Sequence, residues 1–240
     1  MNVDVLLYDG FDELDGIGPY EVFDYAFQYA VQEGDAPTDT EADARADTEA
    51  DAPTDAESSR FTPAGRVRYV TLDARESVTA SHGTRVGVDA RLPGPGDEGA
   101  PDLLVVPGGG WTNRDETASA WAEAQRGAIP DALAAHHAAG TRIASVCTGS
   151  MLLATAEVTD GRRAVTHASA MDELRESGAE VVDARVVDDG DLLTAGGVTS
   201  GLDLALHVVE REFGDAVAER VATVIEYDRR YEVAGDSGSD

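Results

Sequence analysis

IASVCTGSML, residues Ile143 to Leu152, runs from an apolar, strand-like segment straight into small helix-forming residues, with the only cysteine of the chain at the joint. A tight strand-to-helix turn of this kind, with Ser145 two residues before Cys147 and Gly149 two after, is the pattern of a nucleophile elbow. Small neighbours let the central side chain project into a pocket. A helix opening at Thr148 is expected to favour thiolate over thiol and so to lower the cysteine pKa. The other reading of a lone cysteine is a small buried hydrophobe.

Working outward from that joint, short apolar runs alternate with helical patterns. The runs are Val3 to Leu7, Val67 to Leu72, Leu103 to Val106, Arg142 to Val146, Val181 to Val187 and Leu192 to Thr194. Helices are expected over Pro19 to Val31, Ala118 to Ala138, Thr148 to Ala156, Ala168 to Ser177, Ser200 to Glu212 and near Ala216 to Tyr227. Pro19 suits a first helical turn, where its missing N–H costs nothing. Strands apolar on both faces and separated by helices argue for an α/β fold with a mostly parallel sheet covered on both sides. SVTASHGTRVGVDA, from Ser77, reads instead as a hairpin or an edge excursion.

In such a sheet, ligands sit beyond the carboxyl ends of the strands. YDGFDELDGIGP after the first run places Asp15 there, as an acid or base or as a mere helix cap. After Leu103 to Val106 comes PGGG, in which Gly108, Gly109 and Gly110 let backbone N–H groups approach a ligand, unless the segment is only a turn. Together with the N–H of Thr148, these groups are candidate donors to a developing negative charge. After Arg163 to Thr166 comes His167, a candidate rim group or a helix-terminal one. His136 and His137 are adjacent rather than one turn apart, His207 reads as a helix contact, and His82 lies in a loop within reach of the rim. No group has metal-ligand spacing, and neither a phosphate loop nor a dinucleotide fingerprint occurs, so no metal and no cofactor is expected.

Length and charge bound the rest. A chain of 240 residues buries a core large enough to need no disulfide, and one cysteine fits a reducing cytoplasm. No run approaches the roughly 18 apolar residues of a membrane span, and MNVDVLLYDG lacks the basic start of a signal peptide. The formal charge is −29, and all 18 basic residues are arginine. Repulsion of that size is screened when salt near 1 M shortens the Debye length to about 3 Å, which points to a salt-rich cytoplasm and away from nucleic acid. Residues 34–59 repeat DAPTD and TEAD, carry nine acids against Arg45, and hold no Val, Leu, Ile or aromatic. They read as a solvated surface insertion, and the tail AGDSGSD reads the same way.

DELDGIGPYEVF, VVPGGG, SVCTGSMLLATAEVTDGRRAVTH and TAGGVTSGLDLALHVVEREFG come in the order and spacing of the ThiJ/PfpI superfamily, which the chain resembles outside its insertion and tail. The resemblance implies a class I glutamine amidotransferase-like fold: a flavodoxin-like three-layer α/β/α sandwich, one domain over 1–233, while composition marks 234–240 as a disordered tail. The pattern is that of the isonitrile hydratase-like branch and of the amidase-like sensor domains of AraC-type regulators, where an Asp precedes Gly-Pro as Asp15 precedes Gly18 and Pro19. Carried over, Cys147 matches the elbow nucleophile, Asp15 its acidic partner, Gly109, Gly110 and Thr148 the backbone donors, and His167 a rim histidine. Proteolytic relatives carry His after the cysteine, and Thr148 in that place weighs against a peptidase. The regulators append a helix-turn-helix module, and a chain that stops soon after Tyr231 is expected to stand alone.

The implied enzyme hydrates an isonitrile or a related small electrophile through Cys147, with Asp15 as acid and base, and forms a homodimer. Glyoxalase or deglycase chemistry would use the same groups. A non-catalytic redox sensor would instead register oxidation at Cys147.

Overall fold

The computed structural model describes residues 1–34, 64–229 and 233–235, without the side chains of 31–34. Beyond the backbone of Gly34, the expected acidic insertion lies outside the described residues.

In chain order the elements are β1 (Asn2–Leu6), α1 (Glu13–Gly34), β2 (Arg66–Thr71), β3 (Ser77–Thr79), β4 (Arg85–Gly87), β5 (Ala90–Arg91), β6 (Leu103–Val106), α2 (Ala120–Arg126), α3 (Ala128–Ala138), β7 (Arg142–Val146) and α4 (Gly149–Thr155). Then follow β8 (Arg163–Ala164), a 3-10 turn (Ala168–Ala170), α5 (Met171–Glu176), β9 (Glu180–Val181), β10 (Val186–Asp189), β11 (Leu192–Ala195), α6 (Ser200–Phe213) and α7 (Asp215–Val224). Seven strands form one sheet in the order β10-β11-β7-β6-β1-β2-β5. All its neighbours are parallel except β10 and β11. α1, α6 and α7 pack together as one helical layer, and α2, α3 and α4 as the other. This is the mostly parallel, helix-flanked sandwich that the alternation of apolar runs and helices predicts.

The central strands explain that legibility. Leu103 to Val106 of β6 are wholly buried, as are Ile143 to Val146 of β7, so both faces of each strand are apolar or tightly packed. A strand covered on both sides needs no alternation.

Four boundaries differ from the sequence reading. α1 starts at Glu13, so Pro19 stands inside the helix rather than in its first turn, and Asp15 belongs to the first turn. The expected helix over Ala118 to Ala138 is cut at Gly127, whose φ of 80° ends α2 and opens α3. The run Val181 to Val187 is two strands: β9 pairs with β8 in a separate ribbon, and β10 pairs antiparallel with β11 at the sheet edge. Ala234, assigned to the disordered tail, is bonded to β10 on both sides, its N–H to Val186 O at 3.0 Å and its carbonyl to Asp188 N at 3.0 Å. The hairpin expected from Ser77 is β3 and β4, and β5 then extends the main sheet beside β2.

Candidate active site

Cys147 sits between β7 and α4 with φ at +57°, a backbone region that a side chain disfavours. Several bonds hold it there. Its N–H donates to Ala195 O at 3.0 Å, and its carbonyl accepts from Thr166 Oγ1 at 2.9 Å. Beneath the turn, Ser145 Oγ and Ser150 Oγ lie 2.8 Å apart, and Ser150 Oγ donates to Val165 O at 2.7 Å. A Cβ on Gly149 would stand 2.1 Å from Val106 O, so only glycine fits beside this strand end. The small residues read from sequence as room for a turn are thus also contact points between β6, β7 and α4.

Asp15 reaches the same place from the first turn of α1. It is wholly buried, and Cys147 is 6% exposed. Oδ2 of Asp15 accepts the N–H of Gly108 at 3.1 Å, while Oδ1 has no hydrogen-bond partner among the described residues. Burial, and after it the charge of Asp12, pushes the Asp15 carboxyl well above the usual carboxylate range, against the Gly108 N–H and the Cys147 thiol. Burial likewise pushes the Cys147 thiol far up, followed by the charge of Asp15, with the Thr148 N–H opposing. The low-pKa cysteine expected from a helix N-terminus is therefore corrected: desolvation disfavours the charged sulfur more than a two-turn helix favours it. The resting pair is a thiol against a proton-hungry carboxyl.

The glycine strip is more occupied than its sequence suggests. Gly108 N–H holds Asp15, and Gly109 N–H donates to Thr148 Oγ1 at 3.0 Å, so Gly109 has no free donor as a side-chain-free approach would require. The Thr148 N–H is directed at the sulfur, and Gly110 ends the strip with φ at +63°. His167 lies next to Thr166 on the same rim but makes no hydrogen bond to Cys147 or Asp15. Its Nδ1 is 2.8 Å from Ser169 Oγ and accepts the Ser169 N–H at 3.2 Å. His82 reaches the rim, where its Nδ1 lies 2.8 Å from Glu13 Oε2. No group of three or more metal-ligating side chains occurs among the described residues.

Residues 1–211 match the model of the DJ-1/PfpI family. The chain belongs to the DJ-1/PfpI family. Over 85 residues it is 44% identical to an isonitrile hydratase of Pseudomonas putida, a match spanning 35% of this chain and 37% of that protein. Among solved structures, a ThiJ/PfpI family protein from Pseudomonas syringae is similar with a TM-score of 0.70 at 24% identity, over 99% of this chain and 78% of the other. An AraC family transcriptional regulator from Pseudomonas putida gives 0.65 at 21% identity, over 93% and 92%. Both structural likenesses carry the fold, and the hydratase match fits the branch that the motifs point to.

Within this DJ-1/PfpI site, sequence reasoning passed over Tyr8 and Thr166. Tyr8 is 4% exposed and donates its hydroxyl to Pro107 O at 2.9 Å. Each lies two residues past a strand, β1 and β8, and the rule that ligands gather at strand ends would have found them. Trp111, one residue past Gly110, was also missed. Its Nε1 donates to Glu173 Oε2 at 3.1 Å, and it stacks edge-on with Trp121 at 5.0 Å, which ties the glycine strip to α2 and α5.

Proposed function

We propose that this protein hydrates small isonitriles to N-substituted formamides, with Cys147 as nucleophile and Asp15 as proton carrier. The observation that carries the reading is the buried pair itself: the Cys147 thiol against a buried Asp15 carboxyl whose Oδ1 has no hydrogen-bond partner among the described residues. The local identity to an isonitrile hydratase supports the choice of electrophile.

An isonitrile carbon both accepts a nucleophile and, once attacked, takes up a proton. The Cys147 thiol passes its proton to Asp15 Oδ1 as the sulfur attacks that carbon, and Oδ1 returns the proton to the same carbon. The product is a thioimidate, R–N=CH–S–Cys147. Asp15 then takes a proton from water as the water oxygen adds to the thioimidate carbon and passes that proton to the nitrogen, giving R–NH–CH(OH)–S–Cys147. The C–S bond then breaks as the hydroxyl proton moves through Asp15 to the sulfur, which releases R–NH–CHO and restores the thiol. A neutral apolar substrate suits a site this dry, because nothing charged has to be desolvated on entry. All atoms of the formamide come from isonitrile and water, so the cycle calls for no cofactor.

The Thr148 N–H and Gly110 are assigned to stabilising charge on sulfur and substrate, and His167 to the rim rather than to proton transfer. The substrate is a small molecule, and the net charge of −29 weighs against nucleic acid as a partner. The chain is assigned a homodimeric state and a salt-rich cytoplasm. No described helix is long and apolar enough to cross a membrane.

Protein purified in high salt is expected to convert a simple alkyl isonitrile to the formamide, followed by NMR, and Cys147→Ala to abolish the conversion. Equal turnover by Cys147→Ala overturns the mechanism.

A further inference from the structure

Tyr8 follows β1 at the carboxyl rim of the sheet, and its hydroxyl donates to the Pro107 carbonyl at 2.9 Å. That carbonyl and the Gly108 N–H belong to one peptide unit. The Gly108 N–H donates to Asp15 Oδ2 at 3.1 Å. A single amide plane is therefore bonded at both ends, by a phenol on its oxygen and by the working carboxylate on its nitrogen. The next peptide is fixed as well: its Gly109 N–H donates to Thr148 Oγ1 at 3.0 Å, and its Gly108 carbonyl accepts the Asp12 N–H at 2.8 Å. Hydrogen bonds joined through one amide polarise each other, so a donor at the carbonyl makes the N–H a stronger donor.

We propose that Tyr8 is a positioning residue: by donating to the Pro107 carbonyl it locks the Pro107–Gly108 peptide and strengthens the bond that holds Asp15 against Cys147. This rests on the reading of Asp15 as proton carrier. Burial, and next the neighbouring charge of Asp15 and Cys147, keeps the Tyr8 phenol protonated, hence always a donor. Phenylalanine would fill the same volume and leave the Pro107 carbonyl without its phenol.

Tyr8→Phe and a chain with 3-fluorotyrosine at position 8 test the chain of bonds. Fluorine makes the phenol a stronger donor with almost no change of shape. Two readouts are followed: the pH profile of isonitrile turnover, and an infrared titration of the Asp15 carboxyl, identified by its loss in Asp15→Asn. In Tyr8→Phe the Gly108 bond weakens, the carboxylate is less stabilised, and the Asp15 midpoint moves up in pH. Its kcat falls about tenfold with KM little changed. Fluorotyrosine moves the midpoint down. A residue that merely satisfied a buried carbonyl would change the melting temperature and neither midpoint. Unchanged midpoints in both proteins overturn the proposal; should Tyr8→Phe not fold, an unchanged midpoint in the fluorotyrosine protein does so alone. A wild-type chain inert toward isonitriles overturns the functional reading instead, and the infrared shift still decides on Tyr8.

Discussion

Asp15 affects Cys147 in two opposed ways, and a single substitution separates them. Its negative charge holds the thiol proton on, second only to burial. Its Oδ1 is also the atom assigned to move that proton. Asp15→Asn is therefore expected to speed alkylation of Cys147 by iodoacetamide near neutral pH while isonitrile turnover is lost. In the unaltered chain the alkylation midpoint should lie above the ordinary cysteine value of about 8.5. Parallel loss of both rates would show that Asp15 does not raise the thiol pKa. That Cys147 and Asp15 meet was readable in part: the turn pattern pointed to the cysteine, whereas Asp15 stood open between acid and helix cap until the family resemblance paired the two. The direction of the cysteine shift was not readable. It depends on how deeply the turn is buried, and Val106, Tyr8 and Thr166, which enclose it, come from distant parts of the chain.

The turns that deliver these residues depend on close backbone contact. A Cβ on Gly108 would stand 2.4 Å from Thr148 N and 2.6 Å from Thr148 Oγ1. Gly108→Ala is expected to cost about 3 kcal/mol of stability in denaturant unfolding and to reduce turnover, because the strip that holds Asp15 must shift. A second element-level contact lies at the tip of the β3–β4 hairpin, where Glu13 accepts the N–H of His82 at 3.0 Å and of Thr84 at 3.3 Å. Burial opposes charge on Glu13, yet the bonds from His82 and Thr84 prevail and hold its pKa at about 2. His82 is raised by its hydrogen bond to Glu13. A depressed acid gives stability above its unfolded pKa near 4.3 that is lost as pH falls through the folded value. A raised histidine gives stability below about 6.5 that is lost as pH rises through the folded value. Protection of the His82 and Thr84 amides, taken relative to intrinsic exchange at each pH, should therefore be greatest between about pH 4.5 and 6.5, and Glu13→Gln should erase that window. Element boundaries were readable where Gly and apolar runs mark them, and misplaced where a glycine or proline has two uses. Gly127 ends one helix and begins the next, and Pro19 is accommodated inside α1.

The whole chain carries 47 acids against 18 arginines. Raising KCl from dilute buffer to about 1 M should raise the melting temperature by about 10 °C, since a few kcal/mol of relieved repulsion shifts a chain of this length by that much. A melting point indifferent to salt would contradict the salt-rich setting. The mostly parallel sheet and the sandwich were legible because β1, β6 and β7 are buried on both faces and so stand out as apolar runs. The antiparallel edge was not, because β9 and β10 form one apolar stretch in sequence and separate only through pairing with different partners. That edge limits how copies of the chain can join. At one end of the sheet β5 is two residues long, and at the other the free side of β10 is already engaged by Ala234. Among the described residues, neither border of the seven-stranded sheet offers a long row of open amides for another strand to zip onto, and this closure works against fibril growth by so acidic a chain when salt removes its mutual repulsion.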